Sequence, residues 1–181
     1  MENTFKPAVT YFTIYPPIEV ANTELDLSLE YRKEIINEIK KLSKPNDYIE
    51  GLKGSIVNPN SFFDTPNIFE DLIDQIKDRI GKVRVLSSDY HYELASMWAI
   101  NYKKNDEFEF HNHLPTSISF CYYPEETEVP LIFNECDFKV YPKANTLIVF
   151  DSFLNHSSPI NTTKSKIVIS GTVNVIEQFE R

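Results

Sequence analysis

The feature that most constrains the fold is a change in hydrophobic period near Tyr92. From there on, apolar and polar residues alternate in six stretches separated by short runs of turn residues: YELASMWAINYK, EFEFHNH, TSISFCYYP, PLIFNECDFKVYP, NTLIVF and KIVISGTVNVI. Period-two alternation predicts strands, and the short intervals between the stretches predict antiparallel pairing. The sequence therefore predicts an antiparallel β-sandwich or barrel.

A first amphipathic helix is predicted from Ser28 to Leu42. Apolar residues recur at helical spacing, Ser28 is a suitable N-cap, and Pro45 prevents the helix from continuing. The following segment, Lys44 to Asp64, is rich in Pro, Asn, Ser and Gly, which predicts a loop. Upstream, Ala8 to Pro17 alternates like a strand that its prolines close.

A second helix is predicted between Thr65 and Gly81. Thr65 is the expected cap, Pro66 takes the first turn, the apolar stripe runs from Phe69 to Ile80, and Gly81 is the expected end. An apolar stripe usually faces a core, so both helices are expected to brace one face of the sheet.

No internal repeat or low-complexity linker separates the helices from the strands. With 181 residues, the chain is predicted to form a single domain over residues 1–181. Its helical support region spans about residues 1–90 and its β core about residues 92–176. The predicted class is mainly β with N-terminal helices (α+β).

Charge and hydropathy exclude several functions. The chain has 18 Lys and Arg against 27 Asp and Glu, a formal net charge of −9, which disfavours nucleic acid and anionic membranes as partners. No apolar run approaches the ~20 residues of a membrane span, and the N-terminus lacks the layout of a signal peptide. We expect a soluble cytoplasmic protein in which Cys121 and Cys136 are apolar fillers rather than a disulfide or metal ligands.

The histidines are the residues best suited to bind a metal ion. His111 and His113 would share one face of a strand, and His156 follows another strand 43 residues after His113, where a closed sheet brings it near them. Three imidazoles suit iron, zinc, copper or nickel and leave coordination positions open, as in catalytic sites. His91 has no partner at a useful spacing and is predicted to be surface or structural. Glu109 has the same strand parity but is expected to face solvent or to lie behind the ligands.

Three segments between Met97 and Asn174 carry a family resemblance: MWAINYKKNDEFEFHNHLPTSISFCYYP, YPKANTLIVFDSFLNHSSPI and KIVISGTVN. They resemble the 2-oxoglutarate- and iron(II)-dependent oxygenases, in particular the prolyl-hydroxylase-like phage and marine-bacterial type with HxH in place of HxD. The resemblance implies a double-stranded β-helix, a cupin-like jelly-roll barrel, here braced by the two helices.

The resemblance also implies a ligand set. His111 and His156 stand where the family has its first and distal histidines, and His113 stands where the family usually has an acid. Replacing a carboxylate by imidazole raises the charge of protein plus metal from +1 to +2, which a dianionic cosubstrate would neutralise. The family usually has a glycine at the position of Asn145, but asparagine tolerates the left-handed backbone angles expected there.

The residues implied for 2-oxoglutarate start with Lys166, ten places after the distal histidine, where the family more often has arginine. Lysine keeps the charge but loses the bidentate fork. Lys164 is the alternative cation. The other residues predicted to contact the cosubstrate are Tyr123, Tyr102, Ser119 and Ser170.

The implied activity is hydroxylation of a C–H bond coupled to oxidative decarboxylation of 2-oxoglutarate, with Fe(II) as cofactor and O2 as oxidant. The substrate is expected to be a peptide or an amino-acid side chain. Two alternatives stay open at this stage. One is a three-histidine metalloenzyme, cupin-like or zinc-dependent, that does not use 2-oxoglutarate, and the other is a jelly-roll binding module without catalysis.

Overall fold

The computed structural model describes residues 19–57, 68–83 and 90–177 of the chain. The predicted strand Ala8 to Pro17, the predicted helix start at Thr65 and Pro66, and the end of the predicted loop, 58–64, lie outside the described residues.

The first helix, α1 (Leu29–Leu42), has the predicted bounds. Ser28 caps it, because its Oγ accepts a hydrogen bond from the backbone N–H of Tyr31 at 3.1 Å. Ile35 and Ile39 are its buried residues. Local sequence is sufficient to predict this element, since cap, apolar stripe and terminating proline all agree.

The second helix, α2 (Glu70–Val83), continues past the predicted end at Gly81. Gly81 lacks the positive φ of a C-terminal glycine, and a Cβ built on it would have nothing within 4 Å. The prediction that Gly81 ends the helix is wrong, since this glycine is an exposed interior position. Among the described residues, neither helix has the length and apolar character needed to cross a membrane.

The strands, in chain order, are β1 (Val20–Glu24), β2 (Lys44–Pro45), β3 (Leu52–Lys53), β4 (Ser55–Val57), β5 (Tyr90–Lys103), β6 (Glu107–His111), β7 (Ile118–Tyr123), β8 (Leu131–Phe133), β9 (Phe138–Val140), β10 (Thr146–Asp151), β11 (His156–Ser158) and β12 (Ser165–Glu177). A 3₁₀ turn, Asn134–Cys136, joins β8 to β9. The segment predicted as loop from Lys44 thus contributes three short strands. Two of them pair with strands that are distant in sequence, β3 with β6 and β4 with β5, while β2 pairs with β4 inside the segment. Local composition does not reveal the distant partners.

Two antiparallel sheets form the body of the protein. The larger has the strand order β1-β10-β7-β12-β5-β4-β2, and the smaller has the order β3-β6-β11-β8-β9. Every observed pairing is antiparallel. The described residues thus have the jelly-roll architecture that the sequence predicts.

The two faces of the larger sheet bury different residues, as β12 shows. Ile167, Ile169 and Val173 belong to the core that the sheet forms with α1 and α2. Val168, on the opposite face, belongs to the core between the sheets. Period-two alternation therefore separates a structural layer outside the barrel from an interior that can hold a site.

The backbone turns sharply at Asn145, just before β10. Asn145 has φ 67°, the left-handed conformation expected at a position where the family resemblance implies a glycine. Its side chain also ties neighbouring segments together, because Nδ2 donates to the Leu25 carbonyl and Oδ1 accepts from the Tyr122 hydroxyl. Asparagine thus fills a glycine-type position and adds two hydrogen bonds.

Gly171 and Gly81 should respond in opposite ways to alanine. A Cβ on Gly171 would meet the Phe120 ring and lie 2.5 Å from the Ser96 carbonyl oxygen. Gly171→Ala should therefore lower the free energy of unfolding by about 1–3 kcal/mol, the usual cost of overpacking. Gly81→Ala should raise it by about 0.5–1 kcal/mol, because alanine is the better residue inside a helix. Urea denaturation measures both, and a destabilised Gly81→Ala would contradict the position of Gly81 inside α2.

Candidate metal centre

Three histidines converge inside the barrel. His111 ends β6, His113 lies in the loop after it, and His156 begins β11, directly opposite His111 in the antiparallel register. One ring nitrogen from each lies within 4.8 Å of the others. His91 lies exposed on β5, opposite Ile176, and is not part of this cluster. The structure thus brings together the three histidines that the sequence predicts as ligands.

A β-bulge in β6 aims His111 inward. Opposite β11, His156 pairs with His111 and Ser158 pairs with Phe108, so three steps on β6 match two on β11. The extra residue reverses the alternation, and both Phe108 and His111 point into the barrel with ring centroids 3.7 Å apart. Bulges commonly re-aim side chains next to sites in this way.

The bulge corrects one detail of the sequence prediction. Strand alternation was predicted to run unbroken from Glu109 through His111 to His113, yet β6 ends at His111. Glu109 is exposed and lies outside the histidine cluster, in agreement with the expectation that it faces solvent. The break in alternation arises from the pairing register between β6 and β11, which the sequence of one strand does not encode.

Hydrogen bonds to the β10–β11 turn hold His113 in place. Its backbone N–H donates to the Ser152 carbonyl at 2.9 Å, and its carbonyl accepts from the Thr116 hydroxyl at 2.6 Å. The Ser152 hydroxyl in turn lies 3.0 Å from Thr116 Oγ1 and 2.8 Å from Ser119 Oγ. Ser119, predicted to contact the cosubstrate, therefore lies in the hydrogen-bonded support of the His113 loop.

Backbone carbonyls fix two of the three imidazole rings. His111 Nδ1 lies 2.8 Å from the Glu109 carbonyl oxygen, and His156 Nδ1 lies 2.9 Å from the Leu154 carbonyl oxygen. A carbonyl can only accept, so each Nδ1 carries the proton and each Nε2 presents its lone pair. This second layer of hydrogen bonds is the usual way of orienting metal-binding histidines.

Burial keeps these rings neutral. Desolvation, with a contribution from neighbouring His111, lowers the pKa of His113 to about 4 and that of His156 to about 3. Desolvation also lowers the pKa of His111. Neutral imidazole is the form that binds metal ions, so the three nitrogens form a ready ligand set without any carboxylate.

Deeper in the barrel lies a buried lysine. Lys166 is 1% exposed, its Nζ donates a hydrogen bond to the Ser158 hydroxyl, and it lies 4.4 Å from the centre of the Tyr102 ring. Among the residues that the structure describes, no carboxylate forms an ion pair with it. Burial lowers its pKa to about 7. A desolvated cation without a counter-ion is costly, which makes Lys166 a candidate for binding an anionic group.

Three other residues predicted to contact the cosubstrate line an inner cavity. Tyr102, Tyr123 and Ser170 line the cavity that also reaches His111 and His156. Burial raises the pKa of both phenols, so they remain neutral hydroxyl groups.

The two lysines predicted as candidate cations differ in exposure. Lys164, the alternative cation, is exposed, whereas Lys166 is buried.

Cys121 is a buried free thiol, 3.5 Å from the Ser170 hydroxyl, and burial raises its pKa to about 11. The thiol is therefore protonated and inert, in agreement with the filler role predicted for it.

A second, wider cavity opens on the other side of the histidines. Its volume is about 330 Å³, and its lining residues are Tyr48, Ile49, Glu50, Ile56, Trp98, Phe108, His111, Asn112 and His113. Trp98 lines both cavities and meets His113 edge to face, with ring centroids 5.2 Å apart. The sequence did not point to Tyr48, Ile49 or Glu50, because they lie in a segment predicted as loop and carry no motif.

Comparison with known proteins finds similarity of fold rather than similarity of sequence. No protein-family profile and no curated protein matches the chain in sequence. Solved structures match over most of its length. Viral collagen prolyl hydroxylase from Paramecium Bursaria Chlorella virus-1, in its 2-oxoglutarate complex, has a TM-score of 0.61 at 14% identity, covering 85% of this chain and 94% of that one.

Two further structures agree. A Trichoplax adhaerens prolyl hydroxylase, in complex with a hypoxia inducible factor peptide fragment, has a TM-score of 0.67 at 10% identity, covering 84% of this chain and 82% of that one. HygX from Streptomyces hygroscopicus, with nickel and 2-oxoglutarate bound, has a TM-score of 0.67 at 9% identity, covering 86% and 82%. The chain therefore has the double-stranded β-helix fold of these structures.

Replacing the buried Lys166 should stabilise the ligand-free protein. The pKa of Lys166 is about 7 in the folded chain against 10.5 for an ordinary lysine. Below pH 7 both folded and unfolded chains carry the proton, so the full cost of burying the charge applies. Between these values only the unfolded chain binds the proton, and the wild type gains stability as pH rises.

Lys166→Met should therefore raise the free energy of unfolding most below pH 7, with an advantage that shrinks toward pH 10.5. Denaturant titrations of metal-free protein at about pH 6 and about pH 9 measure this difference. The exposed Lys164→Met is the matched control and should change little. A Lys166→Met variant less stable than wild type at the lower pH would show that the ammonium has a structural role.

Proposed function

We propose that this chain is an Fe(II)- and 2-oxoglutarate-dependent oxygenase that hydroxylates a C–H bond of its substrate. One observation carries the proposal. Three neutral histidine nitrogens within 4.8 Å of one another share a barrel interior with Lys166, a buried cation that has no carboxylate partner among the described residues. A metal site and a carboxylate site side by side are what binding of 2-oxoglutarate requires.

The donor set fits a divalent iron ion. His111, His113 and His156 would hold it, and three protein ligands leave coordination positions open for cosubstrate and O2. When bound, the iron couples oxidative decarboxylation of 2-oxoglutarate by O2, which yields succinate and carbon dioxide, to hydroxylation of a C–H bond. The chain itself supplies binding, orientation and a pocket shielded from water.

Lys166 would bind the far carboxylate of 2-oxoglutarate. Its ammonium now donates to the Ser158 hydroxyl, a neutral acceptor that a carboxylate would replace with a stronger, charge-assisted hydrogen bond. Tyr102 and Tyr123, which are neutral hydroxyl donors that line the inner cavity together with Ser158, can add hydrogen bonds. The dianion would also neutralise the +2 charge of a metal held by uncharged ligands.

Entry of the cosubstrate requires side-chain movement. The inner cavity holds about 20 Å³, which is near the space one water needs. A five-carbon diacid must therefore displace side chains around Lys166, and Tyr123 and Ser158 both line the space that it would occupy. Ser119 would act indirectly, by holding the loop that carries His113.

The buried lysine favours this function over the alternatives. A zinc or cupin-like enzyme that does not use 2-oxoglutarate does not require a buried cation for a carboxylate, and a non-catalytic module does not require a cluster of three metal-binding histidines. The substrate class proposed from the resemblance is a peptide or an amino-acid side chain. The Trichoplax structure with a bound peptide fragment supports it, as an analogy of fold.

The proposal predicts a visible charge-transfer band when metal-free protein receives Fe(II) and then 2-oxoglutarate without oxygen. Lys166→Met should still bind iron, but its dissociation constant for 2-oxoglutarate should rise about ten- to hundredfold, the loss expected for a charge-assisted hydrogen bond. Lys164→Met should titrate like wild type.

The same titration separates the alternatives. Iron bound without any band in wild type would indicate a metalloenzyme that does not use 2-oxoglutarate. No stoichiometric metal, in protein prepared without an affinity tag, would indicate a binding module. Equal weakening by both lysine substitutions would remove the assigned role of Lys166.

A further inference from the structure

The wider of the two cavities beside the histidines combines an apolar lining with one acidic side chain. Its walls are apolar and aromatic, formed by Ile49, Ile56, Trp98 and Phe108, and it reaches the two ligands His111 and His113. Its histidines are neutral, and among the described residues that line it Glu50, an acid, is the one charged side chain. No lysine or arginine lines it among the residues that the structure describes.

We propose that this cleft selects a substrate with an apolar stem and a cationic head, an ammonium or guanidinium group on an aliphatic chain, with Glu50 as its counter-ion. The inference rests on the proposed function, because it names the substrate class of that same site. A volume of about 330 Å³ accommodates one long side chain and its flanking backbone. The stem would lie over the metal and the head would reach the rim.

Glu50 is available for such a partner. Among the described residues no cation pairs with it, and its side chain is exposed at the rim. The nearby cation is already engaged, since Lys53 Nζ lies 2.5 Å from Glu107 Oε1. A second acid, Glu109, packs over Gly51, the residue that follows Glu50. The rim is therefore negative beside an apolar interior.

The aromatic walls suit the same ligand. Trp98 is the chain's single tryptophan, and Tyr48, which is 58% exposed, lies at the mouth of the cleft. Indole and phenol faces attract cations and pack against methylene chains. An anionic substrate would instead meet the Glu50 carboxylate, and the net charge of −9 would repel it at long range.

The single tryptophan gives a direct binding signal. Trp98 fluorescence would be titrated with N-acetyl-lysine amide, N-acetyl-arginine amide and N-acetyl-norleucine amide, the last a lysine analogue without the ammonium. The full chain is used, loaded with Fe(II) and 2-oxoglutarate without oxygen, and again free of metal. A short alanine peptide with one central lysine, compared with free lysine, tells whether the cation belongs to a peptide or to a small molecule.

Glu50→Gln should weaken binding of the lysine and arginine amides about fivefold, the effect of losing one exposed ion pair, and leave the norleucine amide unchanged. Glu34→Gln, an exposed acid on α1, is the matched control and should alter no affinity. Glu50→Lys should reverse the preference toward N-acetyl-glutamate amide.

Each other result decides against the inference. Equal wild-type affinity for lysine and norleucine amides, equal losses for both in Glu50→Gln, or no fluorescence change with any probe would overturn it. The charge-transfer band of the same samples reports separately on the oxygenase. A band without cation selectivity removes only the substrate class, and cation selectivity without a band removes only the proposed chemistry.

Discussion

The site depends on the antiparallel pairing of β6 with β11. That register sets His156 opposite His111, and the bulge that accompanies it turns the His111 ring into the barrel beside Phe108. The third histidine, His113, lies beyond the end of β6, in the following loop. The Ser152 carbonyl holds that loop from the neighbouring turn, and the Thr116 hydroxyl holds it from within the loop itself. A shift of one residue in this register would take His156 and His111 to opposite faces.

The two faces of the larger sheet have different roles, and this difference lets the barrel hold such a site. The outer face packs against α1 and α2 in a large apolar core. That core stabilises the fold independently of the barrel interior, where Lys166, Ser158, Ser170 and His156 are buried. Buried polar groups of this kind cost stability unless a ligand satisfies them. The protein thus holds desolvated groups in place before any ligand arrives, which is the usual arrangement of a binding site.

Sequence patterns predicted most of this architecture. Period and capping predict helix α1 and the antiparallel strands, and the positions of the histidines predict the convergence of His111, His113 and His156. The jelly roll and the left-handed turn at Asn145 were implied by the family resemblance. Four features did not follow. The bulge between Phe108 and His111 depends on pairing with β11, and the strands β3 and β4 in the predicted loop depend on pairing with β6 and β5. Gly81 was predicted to end α2, but it lies inside the helix because the apolar contacts of the helix extend past it. Glu50 and Tyr48 carry no motif, and only their position at the mouth of the cleft makes them candidates for substrate contact.

The most direct test of the proposed site is a crystal structure of the protein grown without oxygen, with Mn(II) in place of iron and with 2-oxoglutarate. We predict one metal ion bound by the Nε2 atoms of His111, His113 and His156. We also predict that the far carboxylate of 2-oxoglutarate lies within hydrogen-bond distance of Lys166 Nζ, with Ser158 no longer the sole partner of that ammonium. A metal bound elsewhere, or a cosubstrate held by Lys164 at the surface, would contradict the proposed site.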